Sequence, residues 1–310
     1  MTPARRTADL PEGVRVFERG WLSANAILFE GPEGTALVDT GYATHSTQTV
    51  ALVQAALGPR PLARILNTHL HSDHCGGNAA LQRAYPGVST LIPPGQASFV
   101  RNWDPVALTY SPTGQQCPAF AFDAVLQPGD TVTLAGRDWQ IHGAPGHDPH
   151  SVVLFEPASR ILISADALWE NGFGVIFEEL EGKHAFQDVA ATLDLIDQLA
   201  PALVVPGHGP VFTDSKLALA SARSKLAAFE RDPSKHARHA AKVLLKFKLL
   251  EVQQVADTNF DRWVRSTPYF TLVHQRFFAG TGIGQWIAEL MADLERSGAV
   301  RRRAGQIFSA

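Results

Sequence analysis

Four short apolar runs, "TALVDTG", "ARILNTH", "RILISAD" and "ALVVPGH", each lead into an Asp or a His. Runs of this length bounded by turn residues read as strands, while "THSTQTVALVQAAL" and residues 184–199 between them carry helical spacing. Further strand-like runs are "ANAILFEG", "TVTLAG", "DWQIHGAPG" and "SVVLFEP", and another helix is expected from Asp73 to Tyr85. Such alternation confines the chain to a layered α/β architecture, in which strand ends aim side chains from a rigid base.

Beyond about residue 214 the strand signals stop and the remainder reads as helices, closing on "AVRRRAGQIFSA". Pro233 marks the boundary, giving a main body over residues 1–231 and a helical C-terminal domain over 232–310. The tail holds 12 Lys or Arg against 7 Asp or Glu, a balance of +5, which leaves −8 for the body of a chain whose net charge is −3. A whole-chain charge so close to neutral excludes a global nucleic-acid signature. Two cysteines cannot build a disulfide framework, and the opening "MTPARRTADLPEG" lacks the apolar run of a secretory leader, so a reducing, cytoplasmic setting is expected. No stretch approaches the roughly 18–20 continuous apolar residues of a membrane span. Oligomeric state is left open.

The stretch "NTHLHSDHCGGN" places His69, His71, Asp73 and His74 within six positions of a chain that has 12 histidines. On a loop that follows a strand, His69 and His71 point the same way and can close on one metal. Asp73 and His74, at the start of the next helix, are displaced toward a second. Neutral imidazole and carboxylate suit zinc in catalytic sites that keep a position open for water.

The His-X-His-X-Asp-His pattern resembles that of the metallo-β-lactamase superfamily, and the resemblance extends over roughly the first 215 residues. Its landmarks occur in the family's order: Asp39 in "VDTG", the central motif, His147 in "PGHDPHS", Asp166 in "SADAL" and His208 in "PGHG". The resemblance implies a four-layer αββα sandwich, two mixed sheets with helices on their outer faces, followed here by a helical, winged-helix-like extension. It implies two Zn2+, with iron or manganese as alternatives: His69, His71 and His147 on one ion, Asp73, His74 and His208 on the other, and Asp166 bridging. Such a pair generates a hydroxide near neutral pH and polarises an acyl or phosphoryl oxygen. Asp73 would also orient the hydroxide, and Asp39 would brace the ligand loop without touching metal.

Exported β-lactamases of this superfamily carry Cys or Ser where Asp166 stands, so the full ligand set points instead to glyoxalase II-like hydrolases acting on a small-molecule ester, thioester or lactone. Two alternatives stay open: an RNA or phosphodiester endonuclease using the basic tail, and a mononuclear-iron persulfide dioxygenase. His150, Trp169 and Tyr110 are candidates for the substrate pocket, with Phe173 and Phe177 beside them, and the polar stretch around Trp103 and Tyr110 is a candidate lid. His142 reads as a strand residue and Cys75 as a small packing residue. Trp263, Phe270, Phe277, Phe278 and Trp286 suit either a core of the tail or a dimer surface.

Overall fold

The computed structural model describes residues 10–310; residues 1–9, most of the opening read as lacking a leader, lie outside them. The first sheet runs in chain order: β1 (Val14–Phe17), β2 (Ala26–Gly31), β3 (Gly34–Val38), β4 (Arg64–Leu66), β5 (Ser89–Ile92) and β6 (Ala124–Val125). The β1–β2 and β2–β3 pairs are antiparallel, and from β3 to β6 the strands pair in parallel. The second sheet comprises β7 (Thr131–Leu134), β8 (Arg137–Gly143), β9 (Val152–Glu156), β10 (Ile161–Ala165) and β11 (Leu203–Pro206), in the order β11-β10-β9-β8-β7. Only its β10–β11 pair is parallel.

Strand alternation makes the layers. In β2, Ile27 and Phe29 face Trp139, Ile141, Leu154 and Ile163 of the second sheet. Ala26 and Leu28 point the other way, to Val53 and Leu57 of α1 (Ser46–Leu57) and to Leu81. In the second sheet Val153, Phe155, Leu162 and Val204 turn outward onto a cluster with Leu193 and Ile196 of α7 (Ala185–Leu199) and Leu219 and Leu226 of α8 (Ser215–Arg231). With period-2 side chains both faces of each sheet are apolar, so each needs a covering layer, and αββα is the arrangement that supplies it. Each fully buried Leu, Ile or Phe contributes on the order of 1.5–3 kcal/mol.

The expected helix from Asp73 to Tyr85 is two pieces, α2 (Ser72–Cys75) and α3 (Asn78–Ala84). The break is at Gly76 and Gly77, where the loop after β3 presses in: a Cβ on Gly77 would lie 2.4 Å from Thr40 O, and one on Gly76 2.5 Å from Ala43 N. The polar stretch holds α4 (Ala97–Asn102) and α5 (Tyr110–Thr113); α6 (Phe177–Glu181) and then α7 follow β10, and α8 follows β11.

In the tail, α9 (Pro233–Val252) starts at Asp232, whose side chain accepts from Lys235 N, with Pro233 in the first turn. After it come β12 (Gln254–Ala256), α10 (Asp257–Ser266), α11 (Pro268–Phe277), α12 (Ile283–Arg296), β13 (Val300–Arg303) and β14 (Gln306–Ser309). The tail is therefore not purely helical: its three strands form a sheet ordered β12-β14-β13, a helix-and-wing arrangement. Phe270 and Trp286 are fully buried in a core that the tail shares with Val175 and Leu180 of the main body, with Trp263, Phe277 and Phe278 packed against it. None of the described helices is long and apolar enough to cross a membrane.

Candidate metal centre

Five strand ends converge at one rim of the sandwich. β3 delivers Asp39, β4 runs into His69 and His71, β8 into His147, β10 into Asp166 and β11 into His208. Asp39 and Ala165 hold left-handed φ of 58° and 45°, and the β10–β11 register shifts at Ala165. Both are positions where a non-glycine backbone is strained to re-aim the chain at a site.

Three groups of ligand atoms result, each within 4.8 Å: His69, His71 and His147; Asp73, His74 and His208; and His69, His74 and Asp166. Asp166 stands between the first two. Its Oδ2 is 3.3 Å from His147 Nε2, while its Oδ1 is 3.3 Å from His74 Nε2 and 3.9 Å from His208 Nε2. Asp73 Oδ2 is 3.1 Å from His208 Nε2.

The outer nitrogens of the His147 and His74 rings are already engaged, which tests whether the inner ones suit a cation. His147 Nδ1 donates to Val175 O at 2.5 Å and His74 Nδ1 to Asp39 Oδ2 at 2.8 Å. A carbonyl and a carboxylate accept only, so Nδ1 carries a proton in both rings and the neutral ring turns its lone pair inward on Nε2. Burial alone would lower His74, but Asp166 and Asp39 hold it well above its ordinary value, so this ring gives up a proton to take a cation. His147 Nε2 lies 2.8 Å from His71 Nδ1, and His69 Nε2 and His74 Nε2 are buried without a hydrogen-bond partner. Inward lone pairs with carboxylates among them form a donor set that fits divalent metal.

Electrostatics favour the anionic carboxylates. Burial alone would raise Asp166, but His74 and His208 pull it well below the usual carboxylate range, and Asp73 is lowered by the His208 hydrogen bond and by His74 against the same burial. Burial and the neighbouring histidines hold His69 well below its ordinary value, and burial with His71 takes His147 to about 4. Asp39 sits behind this cluster: Oδ1 accepts from Thr68 N at 2.9 Å, and Oδ2 accepts from Thr68 Oγ1 and His74 Nδ1, each at 2.8 Å.

The centre opens into a cavity of about 420 Å³, lined on one side by His71, Asp73, His147, Asp166 and His208. Trp169, Phe173 and Phe177 line it as expected, and His150 lines an adjoining cavity that shares His71 and His147. Tyr110 is a correction. Its ring is buried in the wall, with its hydroxyl donating to Leu70 O at 2.8 Å, so the phenol is spent on a backbone acceptor and the cavity is lined instead by Thr109 and Thr113. Trp103 packs on Tyr110 and Phe120. Cys75 is a buried packing residue 3.7 Å from Cys117, burial holding its thiol well above the ordinary value, and His142 lies on β8.

Several lining residues left no mark in the sequence. Trp21 stacks on the His208 ring at 5.5 Å, and Lys225 of α8 and Phe247 of α9 close the far wall. Gly174 and Gly207 are needed for room: a Cβ would fall 2.4 Å from His147 Nδ1 in one case and 2.2 Å from Asp166 Oδ1 in the other. The glycine before His208 in "PGHG" was the available signal for the second.

Comparison with known proteins places this geometry. A hydroxyacylglutathione hydrolase of Synechococcus sp. (strain JA-3-3Ab) is 30% identical over 141 residues, 46% of this chain and 46% of that protein, so the match spans under half of that relative. The human acyl-coenzyme A thioesterase MBLAC2 is 27% identical over 225 residues, 66% of this chain and 78% of that protein. A crystal structure of a metallo-beta-lactamase family protein from Thermus thermophilus superposes with a TM-score of 0.57 at 18% identity, covering 97% of this chain, tail included, and 100% of that one. The sequence model of the metallo-beta-lactamase superfamily matches residues 19–208, Asp39 to His208 inclusive, and the chain belongs to that superfamily.

Proposed function

We propose that the protein is a dinuclear metallo-hydrolase of a small-molecule thioester or ester, with residues 1–231 as its catalytic domain and 232–310 as a domain that walls the substrate cavity. The observation that carries the reading is Asp166, a single carboxylate with one oxygen toward His147 and the other toward His74 and His208. His69, His71 and His147 would hold one ion, Asp73, His74 and His208 the other, and Asp166 both. Zinc suits these nitrogen and oxygen donors, with iron and manganese as alternatives. When bound, such a pair acidifies a water and offers positive charge to a developing oxyanion.

The chain's residues supply the rest. Asp73 engages His208 through Oδ2, and its Oδ1, which makes no hydrogen bond among the described residues, is free to accept and orient a proton of the attacking water. Asp39 fixes the His74 tautomer. Trp21, Phe173, Val175 and Phe247 make the cavity apolar and limit bulk water at the reacting carbonyl. The relatives named hydroxyacylglutathione hydrolase and acyl-coenzyme A thioesterase support a thioester as the bond cleaved.

A phosphodiester is disfavoured by the same cavity, in which Lys225 is the one Lys or Arg among the lining residues, too little charge for a polyanion. Convergence of Asp73, His74 and His208 argues against a one-iron centre, which would leave them idle. Free Cys75 and Cys117 fit a reducing, cytoplasmic setting. The test is thiol release from a panel of acyl thioesters by metal-loaded protein, with elemental analysis and Asp73→Ala as control. About two metal ions per chain and turnover that vanishes in the variant are expected; turnover unaffected by Asp73→Ala would overturn the mechanism.

A further inference from the structure

The cavity at the metal centre continues beyond what the chemistry needs. A second groove of about 390 Å³ adjoins it, and Trp21, His239, Val243 and Phe247 belong to the walls of both. Its floor is α9. His239, Val243, Phe247 and Leu250 fall at i, i+4, i+8 and i+11, one stripe of the helix, while Ala237, Ala241, Leu245 and Leu249 form the opposite stripe and are buried in the tail core. One apolar face of α9 thus holds the tail together, and a second, flanked by Lys242 and Lys246, lies along the groove. Trp21, 59% exposed and stacked on His208, closes the roof where groove and centre join.

A third cavity of about 320 Å³ shares His71 and His147 and is more polar, with Asp148, His150, Glu178, Glu181 and Lys183 standing among apolar side chains such as Phe99, Val106 and Phe177. The reacting position is therefore the junction of an apolar arm and a polar arm. Alkyl chains gain free energy for every methylene removed from water, and the charged side chains of the third cavity curtail that gain there.

We propose that the apolar arm, from Trp21 along Val243 and Phe247 to Leu250, holds the acyl chain of a medium- to long-chain thioester or ester, with the leaving group in the polar arm. The assignment rests on the hydrolase reading above and names its substrate class. From Val243 to Leu250 the groove follows α9 for about 10 Å at 1.5 Å per residue. With C–C bonds of about 1.5 Å in zigzag, that length accommodates roughly eight methylenes.

The test uses the full chain loaded with zinc and N-acetylcysteamine thioesters from acetyl to tetradecanoyl, which keep the leaving group constant. The specificity constant kcat/KM is expected to climb about two- to fourfold per added methylene and then level off once the groove is full. Val243→Trp, which fills the passage between the two cavities, should lower the dodecanoyl-to-butanoyl ratio of kcat/KM at least tenfold. Leu250→Trp, at the half-buried outer end, should lower the same ratio should the inner variant fail to fold. Binding is read separately by tryptophan fluorescence with hexanoate to tetradecanoate, whose Kd should fall with chain length in the wild type and stay flat in Val243→Trp.

Measurable turnover with no dependence on chain length would overturn the acyl arm and leave the hydrolase reading standing. No turnover of any thioester, with carboxylates still bound in order of length, would overturn the hydrolase reading and support the apolar arm as a binding site. A solution dimer that Leu250→Glu dissociates would assign the groove to a second copy of the chain and overturn the proposal.

Discussion

Replacing Asp39 by Asn removes one charge from behind the centre and alters little else. Asn shares with Asp a tolerance for the left-handed conformation at φ 58°, so the turn after β3 is kept. Its amide oxygen can still accept from Thr68 N, but the NH2 group then faces Thr68 Oγ1 and His74 Nδ1, where Oδ2 had accepted two hydrogen bonds. Thr68 can rotate its hydroxyl. His74 cannot keep Nδ1–H against another donor, so the ring shifts its proton to Nε2, the nitrogen that faces Asp166.

Hydrogen bonds to buried charged groups are worth about 1.5–3 kcal/mol, and loss of such an outer partner typically weakens metal binding about 10- to 100-fold. At about 1.4 kcal/mol per decade the two figures agree. The expected result is a 10- to 100-fold weaker second ion and a first ion, on His69, His71 and His147, altered less than about threefold. Competition against a chromophoric chelator, titrated to two equivalents, reads both constants. Equal weakening at both ions, or none at either, would refute the argument that Asp39 acts through His74.

Three further outcomes follow from single contacts. Gly207→Ala drives a Cβ against Asp166 Oδ1 at 2.2 Å, so the variant should lose metal and at least about 100-fold in turnover with every ligand still present; elemental analysis and thioester kinetics check it. His236 is fully buried against Phe229 and Phe186, and burial, with His239 and Lys225, takes it to about 3. It is neutral when folded and takes up a proton on unfolding below its ordinary 6.5, so stability drains as pH falls from about 6 toward 3. Denaturant titrations should show the wild type losing about 1.4 kcal/mol per pH unit more than His236→Phe across that window, and parallel curves would refute it. Tyr110→Phe leaves Leu70 O with only the weak Cys75 thiol donor at 3.5 Å and should cost about 1–3 kcal/mol of stability while kcat/KM stays within about twofold; a large kinetic loss would return Tyr110 to the substrate pocket.

The features that could be read from the chain alone are local ones. His69, His71, Asp73 and His74 are legible because candidate ligands one to five positions apart on one loop must share a locality, and Asp39, His147, Asp166 and His208 through the resemblance to the family's motifs, with apolar runs marking the strands that lead to them. The layers were legible for a related reason, since alternation along a strand states which faces need covering.

Other features needed the folded chain. The strands β12, β13 and β14 are three or four residues long, and in β13 the sequence VRRR hides any alternation behind arginine. The helix expected through Asp73 breaks because the Thr40–Ala43 loop arrives at Gly76 and Gly77 from elsewhere in the chain. Tyr110 turned inward because Leu70 O lay within reach. Above all, Val243 and Phe247 carry the same apolar pattern as Leu245 and Leu249 on the same helix. Periodicity says that a face is apolar, but only the position of neighbouring elements decides whether it meets a core or, as here beside Trp21 and His208, stays open to a ligand.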